Sequence, residues 1–156
     1  MPDTPEGRFE ILALHVGLTT KRLSSLDDEG RKLSQELFDL MVADLDQNMR
    51  ELGVGDLSVG KQMKRLASHF YARLAVLTEI FGPEGEPLDD DGKHQALRSM
   101  IETNVYGAKT PTAVEVDHLT AILAKLSQAL SENSPKELKA GKLTLPDPST
   151  LAAALD

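Results

Sequence analysis

The segment GDLSVGKQ, residues 55–62, comes close to the phosphate-binding pattern G-x-x-x-x-G-K-[ST]. In that pattern backbone N–H groups surround the phosphates and the final hydroxyl binds magnesium. Three residues stand where a nucleotide-binding enzyme would have them, namely Gly55, Gly60 and Lys61. However, Gln62 replaces the hydroxyl residue, Asp56 would bring a carboxylate among the phosphates, and the preceding segment has helical periodicity. We therefore interpret GDLSVGKQ as a turn between two helices.

This interpretation assigns a structural role to the residues of the turn. Gly53 is expected to end the first helix in the left-handed conformation. Asp56 is expected to cap the second helix. Gly60 would lie in the first turn of that helix, where a missing side chain permits a neighbouring helix to approach closely.

Histidine and carboxylate spacing raises metal or haem binding as an alternative. Glu115 and His118 form an E-x-x-H pair, the unit that di-iron bundles use twice together with two further glutamates. Asp91 and His94 have the same spacing but border a loop, and Glu115 is better explained by helix capping. His15 lies between two apolar ridges of a helix, where a haem ligand is conceivable. We predict no catalytic residue, metal or cofactor, and keep a metal- or haem-binding bundle enzyme as an alternative.

The elements that carry these residues are helical almost throughout. We predict helices over about residues 6–25, 29–52, 56–81, 92–106 and 113–131, with a short helix after Ser134-Pro135. From Gly141 onward, the apolar and proline residues indicate an extended tail, namely Leu143, Leu145, Pro146 and Pro148. The predicted fold is an all-α, single-domain helical bundle of about five to six helices with an extended C-terminal tail.

Composition sets limits on the class of protein. A chain of 156 residues with 40% hydrophobic residues suits one domain over residues 1–156. The net charge of −8 argues against nonspecific nucleic-acid binding by the whole protein. There is no cysteine, hence no disulfide or thiolate site. The N-terminus has no signal-peptide pattern and no apolar run approaches the roughly 20 residues that span a bilayer, so we expect a cytoplasmic protein.

Two helices have surfaces that could bind a partner. Helix three carries cations at near four-residue spacing beside its apolar stripe, namely Lys61, Lys64, Arg65 and Arg73. They form either a solvated helix face or a docking surface for an acidic or RNA-bearing partner. Helix one is apolar on two sides, with one ridge of Phe9, Leu12, Val16 and Leu23 and another of Ile11, Leu14 and Leu18. Such a helix is either central in the bundle or presents the second ridge to an apolar client.

Helix two places a carboxylate within its apolar arc. Asp44 falls among the leucines and methionines that should face the core, and an unpaired buried carboxylate costs several kcal/mol. We expect Asp44 to pair with Arg73 of helix three. The alternative is a rim position in contact with water.

The segment LFDLMVADLDQNMRELGVGDLSVGKQMKRLASHFYARL, residues 37–74, resembles the ubiquinol–cytochrome c chaperone family in its short bacterial form. The segments RFEILALHVGL and GKLTLPDP are also similar, so the resemblance covers about residues 8–148 and leaves 149–156 as a tail. Its most specific residues are Asp44, Asp46, Arg50, Gly53, Gly55, Asp56, Gly60, Lys61, Phe70, Tyr71 and Arg73. The chain departs from the family at Ala72, where a glycine is expected, and near Leu77, where an aromatic residue is usual.

The resemblance implies a non-enzymatic assembly chaperone for the respiratory cytochrome bc1 complex. Mitochondrial relatives bind newly made cytochrome b, act with a small partner protein and associate with the mitochondrial ribosome. The partners implied here are cytochrome b or another bc1 subunit as client, the ribosome and a small partner protein. Peripheral contact with the inner membrane is expected only through the client, because no basic amphipathic helix has an aromatic anchor. A scaffold protein unrelated to respiration is the second alternative.

Overall fold

The computed structural model describes residues 4–82, 91–106 and 110–145. This part of the chain contains six α-helices: α1 (Pro5–Ser24), α2 (Asp28–Glu51), α3 (Asp56–Phe81), α4 (Asp91–Ile101), α5 (Ala113–Glu132) and α6 (Pro135–Lys139). A π-helical turn, Glu102–Tyr106, continues α4. Within these ranges there is no strand, and the predicted all-α bundle is confirmed with helix ends within about two residues of the sequence-based bounds.

The C-terminal tail is seen only in its first residues. Residues 142–145 are non-helical, as the sequence predicts, and residues 146–156, with both tail prolines, lie outside the described residues. Asn133, which ends α5, fixes the tail by two hydrogen bonds with the backbone of Thr144, both of 3.1 Å. In the described ranges, no helix combines the length and apolarity needed to cross a membrane.

Side-chain hydrogen bonds cap the first turns of α2 and α5. Asp27 accepts a hydrogen bond from the Gly30 N–H at 2.8 Å and so begins α2. Thr112 and Glu115 form the predicted capping box of α5. Hydrogen bonds from Thr112 lower the pKa of the Glu115 carboxyl. Each such cap contributes about 1 kcal/mol to the helix it begins.

The main core joins α1 to the second half of α3, to α4 with its π-turn and to α5. Its most deeply buried members are Leu14, Leu18, Leu77, Phe81, Leu97, Ile101, Val116, Leu123 and Leu130. A smaller cluster of Phe9, Ala13, Met41 and Phe70 joins the first half of α1 to α2 and α3. Because α1 contributes to both clusters, it is the central helix of the bundle.

This position of α1 corrects the expectation that its second ridge binds a client. Leu14 and Leu18 are buried in the main core, and Ile11 is partly buried against it. A helix surrounded by neighbours needs apolar residues on several sides, which explains its two ridges. Ile11, Leu14 and Leu18 therefore stabilise the fold and are not exposed for partner binding.

The close helix approach occurs at a different glycine from the expected one. A Cβ built on Gly60 would meet nothing within 4 Å, so Gly60 permits no helix contact. A Cβ on Gly17, in α1, would lie 3.2 Å from Leu77 Cδ1 of α3. Gly17 is thus the residue that allows α1 and α3 to pack closely.

The buried ion pair also differs from the expected one. Arg73 donates to Glu10 of α1 through Nε at 2.8 Å and Nη2 at 3.2 Å, and both side chains are largely buried. Asp44 is exposed and accepts a hydrogen bond from Asn48 Nδ2 at 3.1 Å. The predicted pairing of Asp44 with Arg73 is therefore wrong, and the rim alternative holds. Glu10, which sequence analysis did not single out, is the partner of the buried cation.

Candidate binding surface on the α2–α3 arm

The far end of the α2–α3 hairpin extends beyond the rest of the bundle. Within residues 42–69, Val59 is the only buried residue. The helix lengths explain this, since α1 has 20 residues whereas α2 has 24 and α3 has 26. The first turns of α1 pack at Met41 and Phe70, and of the residues beyond them Val42, Leu45 and Leu66 are partly buried against this cluster. We call residues 42–69 the α2–α3 arm.

The turn at the end of the arm is built as a helix C-terminus. Gly53 has φ 79°, the left-handed conformation that the sequence predicts. Its N–H donates to the Arg50 carbonyl at 2.9 Å, and the Val54 N–H donates to the Met49 carbonyl at 3.1 Å. These bonds satisfy carbonyls at the end of α2. Within GDLSVGKQ only Gly55 precedes α3, so the expected turn between the helices is shorter than this segment. The preceding element is the helix α2, whereas a phosphate loop follows a strand.

A cluster of exposed charges holds the two helices together at this turn. Arg50 donates through Nε to Asp46 Oδ2 at 2.6 Å and through Nη1 to Asp56 Oδ1 at 2.5 Å. The hydrogen bond with Asp46, followed by the charges of both carboxylates, raises the pKa of Arg50. The predicted capping role of Asp56 is wrong, because Gly55 is the N-cap of α3 and Asp56 is its first residue. Three of the family-like residues thus form one ion-pair cluster.

The outer face of α3 in the arm carries three exposed cations. Lys61, Lys64 and Arg65 line a shallow hollow of about 440 Å³ together with Gln62, Ser68 and His69. Within the described chain, none of the three cations forms an ion pair. Arg73 does not belong to this surface, since Glu10 holds it in the bundle. Of the four predicted cationic contacts, three are accessible to a partner and one is structural.

Large apolar side chains are also exposed at the end of the arm. Leu57 is 97% exposed and Leu52 is 80% exposed. Periodicity placed Leu52 in the apolar arc of helix two, among residues expected to face the core, but Leu52 is exposed. Leu57 was missed; its position off the apolar stripe of α3 was the signal that could have identified it.

The aromatic residues of the family pattern lie at the base of the arm. Phe70 is buried, whereas Tyr71 is exposed and stacks on Phe38 of α2 with ring centroids 5.1 Å apart. Phe38 also contacts Phe70 at 5.0 Å. This trio fixes α2 against α3 just where the arm leaves the bundle.

The histidine patterns do not form a metal centre in the described part of the chain, where no group of three or more His, Asp or Glu side chains could hold a metal. Glu115 binds Thr112. His94 and His118 do line one cavity of about 330 Å³ between α4 and α5. His15 Nδ1 lies 2.8 Å from the Ile11 carbonyl of its own helix.

A helical bundle with a buried core and an exposed arm of cations and leucines defines the class as a small all-α protein. The chain belongs to the ubiquinol–cytochrome c chaperone family, whose sequence model matches residues 1–145.

Two mammalian proteins and one solved structure are similar to this chain. The mouse ubiquinol-cytochrome c reductase complex assembly factor 1 is 25% identical over 138 residues, covering 88% of this chain and 44% of that protein. Its human counterpart is 31% identical over 97 residues, covering 62% of this chain and 31% of the human protein. The chain thus spans less than half the length of these relatives. The crystal structure of the Cbp3 homolog from Brucella abortus matches with a TM-score of 0.76 and 32% identity, covering 95% of this chain and 77% of that one.

Proposed function

We propose that this protein is an assembly chaperone for the respiratory cytochrome bc1 complex and that newly made cytochrome b, or another bc1 subunit, is its client. The family match over residues 1–145 carries the proposal. The mouse and human relatives, which are named as assembly factors of ubiquinol-cytochrome c reductase, support it. The protein acts by binding, without catalysing a reaction.

The α2–α3 arm is the part of the described chain best suited to binding a partner. Lys61, Lys64 and Arg65 are exposed and without ion pairs, so an acidic segment of a partner can pair with them without displacing an internal carboxylate. Electrostatic attraction of this kind speeds association and selects partners by charge. A small partner protein or the ribosome, which presents phosphates, fits the same chemistry.

A crosslinked pulldown from the protein's own cells tests the proposal. The tagged chain is solubilised in mild detergent and its partners are identified by mass spectrometry. We expect cytochrome b or another bc1 subunit to be enriched. Enrichment of unrelated proteins without any bc1 subunit would contradict the proposal and favour the scaffold alternative.

A charge-reversal variant tests the role of the arm. We expect Lys64→Glu with Arg65→Glu to weaken partner capture several-fold while leaving the helical content unchanged, because both side chains are exposed. The matched control reverses Lys136 and Lys142, which are also exposed but lie at the other end of the chain. If both double variants capture the partner as well as the wild type does, the arm cations are not part of the docking surface.

A further inference from the structure

Two leucines at the end of the α2–α3 arm are exposed, and no other part of the chain that the structure describes covers them. Leu52 and Leu57 flank a turn whose glycines, Gly53 and Gly55, have nothing within 4 Å of a built Cβ. The end of the arm is therefore convex and open on its sides. Exposed leucines are unfavourable in water. The fluid acyl chains of a bilayer can cover a protruding apolar surface more completely than the rigid surface of a folded protein can.

The exposed cations lie behind Leu57 on the same face of α3. Lys61 and Lys64 follow Leu57 by four and seven residues, which places all three side chains on one side of the helix. With a rise of 1.5 Å per residue, Lys61 lies about 6 Å and Lys64 about 10 Å from Leu57 along the axis. The headgroup region of a bilayer leaflet is about 5–7 Å thick. With Leu57 at the acyl boundary, Lys61 would lie among the phosphates. The flexible side chain of Lys64 would extend back along the helix to bring its ammonium to them.

The carboxylates near the end of the arm are engaged by other side chains. Asp46 and Asp56 are held by Arg50, and Glu51 accepts a hydrogen bond from Gln47 Nε2 at 2.8 Å. The protein as a whole has a net charge of −8, so an anionic surface repels most of the molecule. The cationic face of α3 would therefore be the side that approaches such a surface.

We infer that the end of the α2–α3 arm binds directly to anionic phospholipid bilayers, with Leu52 and Leu57 entering the interface and Lys61, Lys64 and Arg65 contacting the phosphates. A phosphate fits the hollow that these cations line with Ser68 and His69. RNA also offers phosphates, but it leaves the two leucines in water. This inference revises the expectation that membrane contact comes only through the client, since two exposed leucines replace the missing aromatic anchor.

Vesicle flotation of the full chain tests this inference without any client. The probes are vesicles of phosphatidylglycerol mixed with phosphatidylcholine, and of phosphatidylcholine alone. We expect the wild type to bind the mixed vesicles, to bind the neutral vesicles much less, and to be released by salt. Leu52→Ser with Leu57→Ser should lower partitioning about tenfold or more. Replacing Lys61 and Lys64 by Gln should lower it by about fivefold for each cation.

Two control variants match these substitutions elsewhere on the surface. Leu40 and Val114, which are 67% and 60% exposed outside the arm, are replaced by Ser, and Lys136 and Lys142 are replaced by Gln. Both controls should bind vesicles as the wild type does. Equal losses of vesicle binding in the control and arm variants would overturn the inference. A wild type that does not bind anionic vesicles at low salt would also overturn it.

Two further outcomes separate this inference from the proposed function. A wild type that ignores vesicles but binds ribosomal RNA through Lys61 and Lys64 would overturn it in favour of a nucleic-acid partner. A leucine double variant that loses vesicle binding yet still captures cytochrome b from detergent would support lipid contact as a separate property. If wild-type vesicle binding persists while no bc1 subunit is captured, the proposed function fails and the lipid contact stands.

Discussion

The two ends of α3 have opposite surroundings. Its second half is enclosed by α1, α4 and α5, and Leu77, Ile80 and Phe81 are buried there. Its first half belongs to the α2–α3 arm, where Val59 is the only buried residue before Phe70. One continuous helix therefore serves as core at one end and as an exposed extension at the other.

This difference separates residues that maintain the fold from residues available for binding. Substitutions in the enclosed half should change stability and leave the specificity of binding intact. Substitutions in the arm should change binding and have little effect on stability, because exposed positions contribute little to stability.

The largest difference is expected between Phe81 and Leu57. Phe81→Ala removes a fully buried ring and should lower the free energy of unfolding by about 3–5 kcal/mol. Leu57→Ala should change it by no more than about 0.5 kcal/mol, since Leu57 is exposed. Urea unfolding followed by circular dichroism measures both. A destabilised Leu57 variant would show that the arm packs against the bundle in solution.

The next difference concerns the two arginine clusters. Arg73→Met leaves the Glu10 carboxylate buried without its cation and should cost about 3 kcal/mol or more. Arg50→Met, which breaks the exposed cluster with Asp46 and Asp56, should cost less than about 1 kcal/mol.

A double variant tests whether Glu10 and Arg73 stabilise the protein as a pair. Replacing Glu10 by Leu together with Arg73→Met should recover much of the lost stability, because no charge is then left buried. If the double variant is as unstable as the sum of the single ones, Glu10 and Arg73 do not act as a pair.

Two glycines should respond to alanine with opposite signs. Gly17→Ala places a Cβ 3.2 Å from Leu77 Cδ1, which is fixed in the core, and should destabilise the protein by about 1 kcal/mol. Gly60→Ala meets nothing within 4 Å and should stabilise α3 by about 0.5–1 kcal/mol. Thermal unfolding of the two variants beside the wild type measures this. The same sign for both would mean that helix propensity outweighs the Leu77 contact.

Sequence analysis located the helices and one special backbone conformation because these depend on local chemistry. The box of Thr112 and Glu115 involves residues three positions apart, and the left-handed conformation of Gly53 is set by the turn itself. Local patterns were sufficient wherever the interacting groups are close in sequence.

The remaining assignments required knowing how far each neighbouring helix extends. Asp44 and Leu52 face the side where a neighbour was expected, but α1 begins too late to cover them. The partner of Arg73 lies 63 residues away in α1, a separation that helical periodicity does not encode. For the same reason periodicity left open whether the second ridge of α1 faces the core or a client, and the structure shows that its Leu14 is buried.

The smallest expected effect is a pH dependence at the junction of α2 and α6. Lys139 donates to Asp27 at 2.8 Å and pairs with Glu29 at 2.7 Å. The hydrogen bond from Lys139, followed by one from the Gly30 N–H, lowers the pKa of the Asp27 carboxyl. A lowered carboxyl pKa stabilises the folded protein at pH values above the unfolded-state pKa of about 3.9. This stabilisation is lost as the pH falls through the folded-state pKa.

We therefore expect the wild type to lose slightly more stability than Lys139→Met when the pH falls below about 4. At neutral pH the Lys139→Met variant should be slightly less stable than the wild type. This difference in stability should shrink as Asp27 becomes protonated. Urea midpoints at neutral and acidic pH measure this change. The matched variant is Arg50→Met in the α2–α3 arm. It also removes an exposed cation that pairs with carboxylates, and this cation connects the two helices of the arm. A pH-independent difference between wild type and Lys139→Met would show that Lys139 stabilises the junction through packing and not through its charge.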